Sequence, residues 1–296
     1  MLFIGIKSMA KTPVNQNNPL TKFMRQPKIY ITLPSLGQYW PANAIIIPEN
    51  GQLPVYSMTA KDEIMFKTPD ALLNGQAVVD VIQSCVPNIK NAWVCPSIDL
   101  DMILVAIRIA TYGDKMKMTY NVPVVNEEID YEINLHSFID KIGQTQWIEQ
   151  IPFEDNLTIF VKPLTYKHMS TISSKSFEST KMFQIANDES IKESERIKLI
   201  SESFKTLTDL TSDMVVNSII KIKIDDADVT ETRFIKEFIE NSDKTVVDTI
   251  QKHINDLKSQ NEIKPVQLAT SADQQERGAP AVIDIPIDFD NASFFG

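Results

Sequence analysis

The apolar positions are densest between Leu53 and Gly113, and helix punctuation is clearest there too. Thr68-Pro69-Asp70 reads as a helix start: a hydroxyl cap, a proline that needs no donor at the first helical position, and a carboxylate at the positive end of the dipole. Leu72, Leu73, Val78, Val79 and Ile82 carry this helix from Pro69 to about Ser84, with Gly75 inside it, and Pro87-Asn88 end it. A second helix is expected from Ser97, as N-cap with Asp99 in the first turn, to Gly113. It is apolar nearly all round from Ile98 to Ala110, the pattern of a buried central helix. Arg108 within it needs a carboxylate or carbonyls, with Asp99 and Asp101 the nearest carboxylates in sequence.

Around these helices the period falls to two. Lys28–Leu33 reads as a strand closed by Pro34, and Tyr39-Trp40-Pro41 as a loop with one apolar anchor. Ala44–Pro48 and Leu53–Met58 read as a hairpin joined through Asn50-Gly51. Thr59 caps a short helix ending near Phe66. Beyond Gly113, Met116, Met118, Tyr120 and Val122 alternate, as do Ile129, Tyr131, Ile133 and Leu135, predicting a second hairpin. A short helix at Ser137–Ile142 and a strand at Leu157–Val161 follow.

From residue 166 the apolar positions narrow to helical stripes: Met169 and Ile172; then Ile197, Ile200, Phe204, Leu207, Leu210 and Met214; then Phe234, Ile235, Phe238 and Ile239; then Val246 to Leu257. Asp225–Asp228 is expected to break a long helix. Residues 261–281 read as a polar linker, and Val282–Phe289 as an edge strand limited by Pro286. The predicted class is α+β: small antiparallel sheet pieces around two buried central helices, followed by a mainly helical C-terminal region. The expected division is a flexible lead at 1–27, an α+β core domain at 28–165, a helical region at 166–260, and a linker with a C-terminal strand and tail at 261–296.

Composition narrows the function classes. At 296 residues and 43% hydrophobic, the chain can bury one or two real cores. The net charge of −10 is uneven: residues 1–120 carry 11 basic and 8 acidic side chains (+3), and 121–296 carry 18 and 31 (−13). That balance disfavours nucleic acid as a partner. The N-terminal apolar run is too short for a signal segment and no membrane span is read, so the protein is expected to stay in the cytoplasm. Cys85 and Cys95 flank the loop between the two central helices and read as buried thiols in a reducing compartment.

Catalytic signatures are sparse. His136, His168 and His253 have no metal-ligand spacing with one another or with cysteine, and no nucleophile elbow, phosphate loop or H-E-x-x-H occurs. Asp62-Glu63 and Asp99/Asp101 are acidic pairs, but both stand where helix N-terminal turns favour carboxylates. No cofactor, metal or catalytic residue is expected. The candidate interaction residues are Lys61 and Asp62, the helical-stripe residues Phe204, Leu207, Phe234 and Phe238, and the terminal pair Phe294 and Phe295.

The run from "LPVYSMTAKDEIMFKTPDALLNG" through "VIQSCVPNIKN" to "SIDLDMILVAIRIATYGDKM", with "KIYITLPSLGQYWP" upstream and "IDFDNASFFG" at the end, resembles the baseplate hub assembly proteins of T-even-type bacteriophages. The likeness is strong over residues 28 to about 140 and at the last residues, and weak from about 166 to 280. It implies a non-enzymatic tail protein that helps build the central baseplate hub by binding hub or tape-measure proteins, like an assembly chaperone, in the host bacterial cytoplasm. The alternatives are a structural hub subunit retained in the virion baseplate, or, from another class, an enzyme with an acidic cleft. Many relatives are expected to carry a Cys-Pro-x-Cys knuckle after the second helix. Here that stretch reads Val122-Pro123-Val124-Val125, so no metal site is carried over.

Overall fold

The computed structural model describes residues 19–66, 75–141, 146–186, 191–261 and 263–285. Mixed α and β elements bear out the α+β class, with antiparallel pairing in each sheet.

The first core forms around α3 (Ser97–Tyr112), which buries Ile98, Leu100, Ala110 and every residue from Met102 to Ile107. The expected central helix is therefore present, with Pro96 rather than Ser97 at its cap. Gly113 closes it at φ 90° and donates its N–H to the Ile109 carbonyl, a conformation that favours glycine. Beside it lies α2 (Gln76–Cys85). Its expected start at Thr68-Pro69-Asp70 lies outside the described residues. Gly75 precedes α2 at φ 75° instead of sitting inside it, and a Cβ there would fall 2.8 Å from Ser170 Oγ. This glycine therefore allows a close approach of the helix that carries Tyr166 and Ser170.

β1 (Pro27–Ile31) pairs with β2 (Leu53–Tyr56), in the register Ile31 with Leu53 and Ile29 with Val55. This corrects the expected hairpin of Ala44–Pro48 with Leu53–Met58. The turn itself forms, with Gly51 at φ 73° donating to the Pro48 carbonyl. Ala44 and Ile46 instead bond to Asn88, Lys90 and Asn91 after α2. α1 (Ala60–Phe66) follows Thr59 as expected. β3 (Lys115–Val122) and β4 (Glu127–Asn134) form the expected second hairpin, with Met116 opposite Ile133 and Met118 opposite Tyr131. α4 (His136–Ile139) turns the chain away.

A second core lies under a four-stranded sheet of β5 (Gln150–Pro152), β6 (Leu157–Val161), β7 (Ile219–Ile224) and β8 (Ala227–Val229), in that order. β7 and β8 interrupt a C-terminal region that is otherwise mainly helical, as expected. Asp225 does not interrupt a helix; at φ 52° it turns a hairpin. In Ile219-Ile220-Lys221-Ile222-Lys223-Ile224 the β-branched run buries Ile219 and Ile222, so pairing with β6 prevails over helix continuation. α7 (Thr232–Asn241) and α8 (Lys244–Asn261) cover the sheet through Ile235, Ile239 and Ile250.

α5 (Tyr166–Ala186) and α6 (Glu193–Ser218) form an antiparallel pair between the two cores. Tyr166 joins the first core and stacks on Trp93 at 5.7 Å, whereas Val215 and Val216 belong to the second. The polar stretch after α8 is not a linker. β9 (Val266–Ala269) pairs with β10 (Val282–Ile285), and α9 (Ala272–Glu276) between them starts with a reciprocal Ser271–Gln274 capping box. Pro286 lies outside the described residues.

Candidate functional site

Of the acidic residues singled out from the sequence, Asp62 and Asp99 turn inward, whereas Glu63 and Asp101 are half-buried. Asp62 is buried and accepts from Thr59 N–H at 2.7 Å, Thr59 Oγ1 at 2.8 Å and Ser84 Oγ at 3.0 Å. Arg25 stands 3.6 Å from it. The same guanidinium donates to the Ser57 and Ser84 carbonyls, each at 2.6 Å, and so fastens the segment before β1 to α1 and α2. Lys61 next to it is exposed. A Thr-x-x-Asp spacing announces the capping half of this cluster, but no local signal announces Arg25.

Asp99 shows the same logic at higher burial. Its carboxylate accepts from Ser35 N–H at 2.8 Å, Ser35 Oγ at 2.5 Å and Trp40 Nε1 at 2.7 Å, with no exposed surface. It pins the loop that carries Trp40 onto the start of α3. Burial raises this carboxyl above its usual range, and the three donors pull against that rise without cancelling it. Arg108 lies over the Tyr112 ring at 4.4 Å, and burial lowers its pKa. Asp62 and Asp99 therefore serve separate networks rather than one shared acid–base site.

Two of the histidines meet protein partners: His168 Nδ1 lies 3.1 Å from Thr165 Oγ1 within its own turn, and His253 Nε2 lies 2.9 Å from the Ile148 carbonyl, far away in sequence. Among the described residues no group of three or more His, Cys, Asp or Glu is placed to hold a metal ion. Cys85 and Cys95 are free and buried. Burial, with Asp62 nearby, pushes the Cys85 thiol up to about 12, and burial raises Cys95 as well. An open groove of about 840 Å³ runs between β4 and β9, and charges of both signs line it: Glu132, Asp284, Lys141 and Lys264.

Phe177, Ile185, Ile197 and Phe204 are the exposed large apolar residues of the α5/α6 pair. Ile197 and Phe204 are 61% and 60% exposed, and Ile200 and Leu207 are half-buried. Spacings of three, four and three put all four on one face of α6. Across the pair, the Phe183 ring meets Phe204 edge-on at 5.1 Å. Along the pair Ser179, Ala186, Ser203 and Leu210 are buried. Phe204 and Leu207 stand together. Phe234 is exposed on α7 beneath the Arg233 guanidinium, and Phe238 packs against the second core. Phe294 and Phe295 lie outside the described residues.

A family described as T4 bacteriophage base plate protein matches the chain over residues 24–267. The chain belongs to that family. The match takes in Arg25, the second core, most of the first and the α5/α6 pair, and so covers most of the stretch where the likeness in sequence was weak. No curated protein and no solved structure matches the chain. As a baseplate protein it works at the phage baseplate and interacts with other baseplate or tail components. Among the described residues of this baseplate protein, no helix is long and apolar enough to cross a membrane.

Proposed function

We infer that this baseplate protein is a non-enzymatic assembly factor. It binds hub or tape-measure proteins in the host cytoplasm and holds their apolar surfaces until they reach the central hub. The observation that carries this reading is the apolar face of α6, where Ile197 and Phe204 stay largely exposed on a chain that buries two full cores. An exposed row of large apolar residues costs solubility unless another surface covers it. The buried acidic residues add support, since Asp62 and Asp99 are engaged in holding loops to helices.

The test is recovery of the full-length tagged protein from infected cells after crosslinking. Hub or tape-measure proteins are expected to come with it, and co-purification of no tail protein at all refutes the reading.

A further inference from the structure

The α6 face has features that define its occupant. Ile197, Ile200, Phe204 and Leu207 follow the three–four alternation of a heptad seam over about 15 Å of helix. On one side the seam runs into α5, where Ser203 and Leu210 are buried. Its other edge is open and carries Ser201 and Thr208, both exposed and uncharged. One ridge further out stand Lys198 and Lys205, a heptad apart and exposed, with Lys198 also 3.8 Å from Glu202 on the side away from the seam. The face is therefore an apolar seam, a hydroxyl edge and a basic rim.

We propose that this face receives one amphipathic helix of another tail or baseplate protein, laid beside α6 with its apolar seam on Ile197–Leu207 and carboxylates along the flank that meets Lys198 and Lys205. This rests on the assembly reading above and names the binding mode. The incoming helix completes a three-helix bundle with α5 and α6, covering Phe183 and Phe204 together. Charge separates this occupant from a second copy. Two copies meeting seam to seam in antiparallel fashion bring open edge to open edge, which gathers Lys198 and Lys205 of both. Like charges so placed oppose pairing. In the parallel arrangement each open edge must meet the partner's other edge, which α5 already covers. A helix with an acidic flank has neither difficulty.

The experiment uses the full chain and two stapled helical peptides with the same leucine seam, one flanked by glutamates and one by lysines, read by fluorescence anisotropy. The glutamate peptide is expected to bind about tenfold tighter at low salt, the effect of two exposed charge pairs. The Lys198→Glu/Lys205→Glu variant reverses that order, and Phe204→Ser weakens both peptides at least about tenfold. Circular dichroism checks that each variant keeps its fold. The lysine substitutions, at exposed rim positions, keep the test decisive if the Phe204 variant loses structure. Equal binding of the peptides, an order unmoved by the lysine changes, or no binding overturns the proposal. So does a dimer in sedimentation that Phe204→Ser dissolves. If Phe204→Ser protein still recovers hub or tape-measure proteins from infected cells, the assembly reading stands and this site falls.

Discussion

Replacing Asp99 by Asn tests how the first core is fastened. The wild-type carboxylate receives three donors, from Ser35 N–H, Ser35 Oγ and Trp40 Nε1. An amide keeps one acceptor oxygen and turns its NH2 toward a donor. The Ser35 hydroxyl can rotate away, so one of the two fixed donors, Ser35 N–H or Trp40 Nε1, loses its partner. A buried donor left unpaired costs about 1–3 kcal/mol, and donor facing donor adds to it. At low pH the wild-type carboxyl is already neutral, so no buried charge is relieved there and a net loss of about 1–3 kcal/mol, that of one unpaired donor, is expected. The pH dependence carries the sharper information. Burial raises the folded-state pKa of Asp99 above its unfolded value of about 3.9. Its contribution to stability is then fully present below about pH 3.9 and is lost as pH rises through the folded pKa. Asn cannot ionise and lacks that loss. The deficit of Asp99→Asn against wild type should therefore be largest near pH 4 and shrink toward neutrality, measured by urea unfolding across that range. A deficit that grows with pH refutes the reasoning. It would mean that the three donors outweigh burial and hold the carboxylate in its charged form.

Arg25→Ala should cost about 1–3 kcal/mol, because Asp62 loses its cation and the Ser57 and Ser84 carbonyls lose a donor. Thermal unfolding reads this, and Arg25→Lys should recover only part of it, since one ammonium cannot span both carbonyls. Ellman's reagent at mildly alkaline pH should find neither thiol in the native protein and both in denaturant, because Cys85 and Cys95 are buried and their pKa values are raised.

Much of the fold was legible where local pattern decides structure. The all-round apolar run of α3 and the alternation of β3 and β4 each carry their own burial instructions. Asn50-Gly51 was legible as a turn, but a turn reports that the chain reverses, not which strand it will pair with. β2 found β1, and the segment before the turn bonded to residues beyond α2. Ile219–Ile224 shows a different limit: isoleucines read as helix when a helix precedes them, and the lysines between them show the strand only once β6 is there to pair with. Similarly, Asp99 looks like an ordinary helix-start carboxylate. Its donors, on Ser35 and Trp40, are supplied by a loop far away in sequence, which no spacing rule reaches. The stripe of Ile197, Ile200, Phe204 and Leu207 was visible as a pattern, and its exposure became visible only when α5 proved to cover one edge and leave the other open.

The central claim, that the protein acts in building the hub and does not remain as one of its parts, is tested most directly by quantitative mass spectrometry of purified mature virions against infected-cell lysate. The account predicts a protein abundant in lysate and absent from virions. A fixed ratio to other hub proteins in the virion would contradict it and make the α6 face a permanent interface.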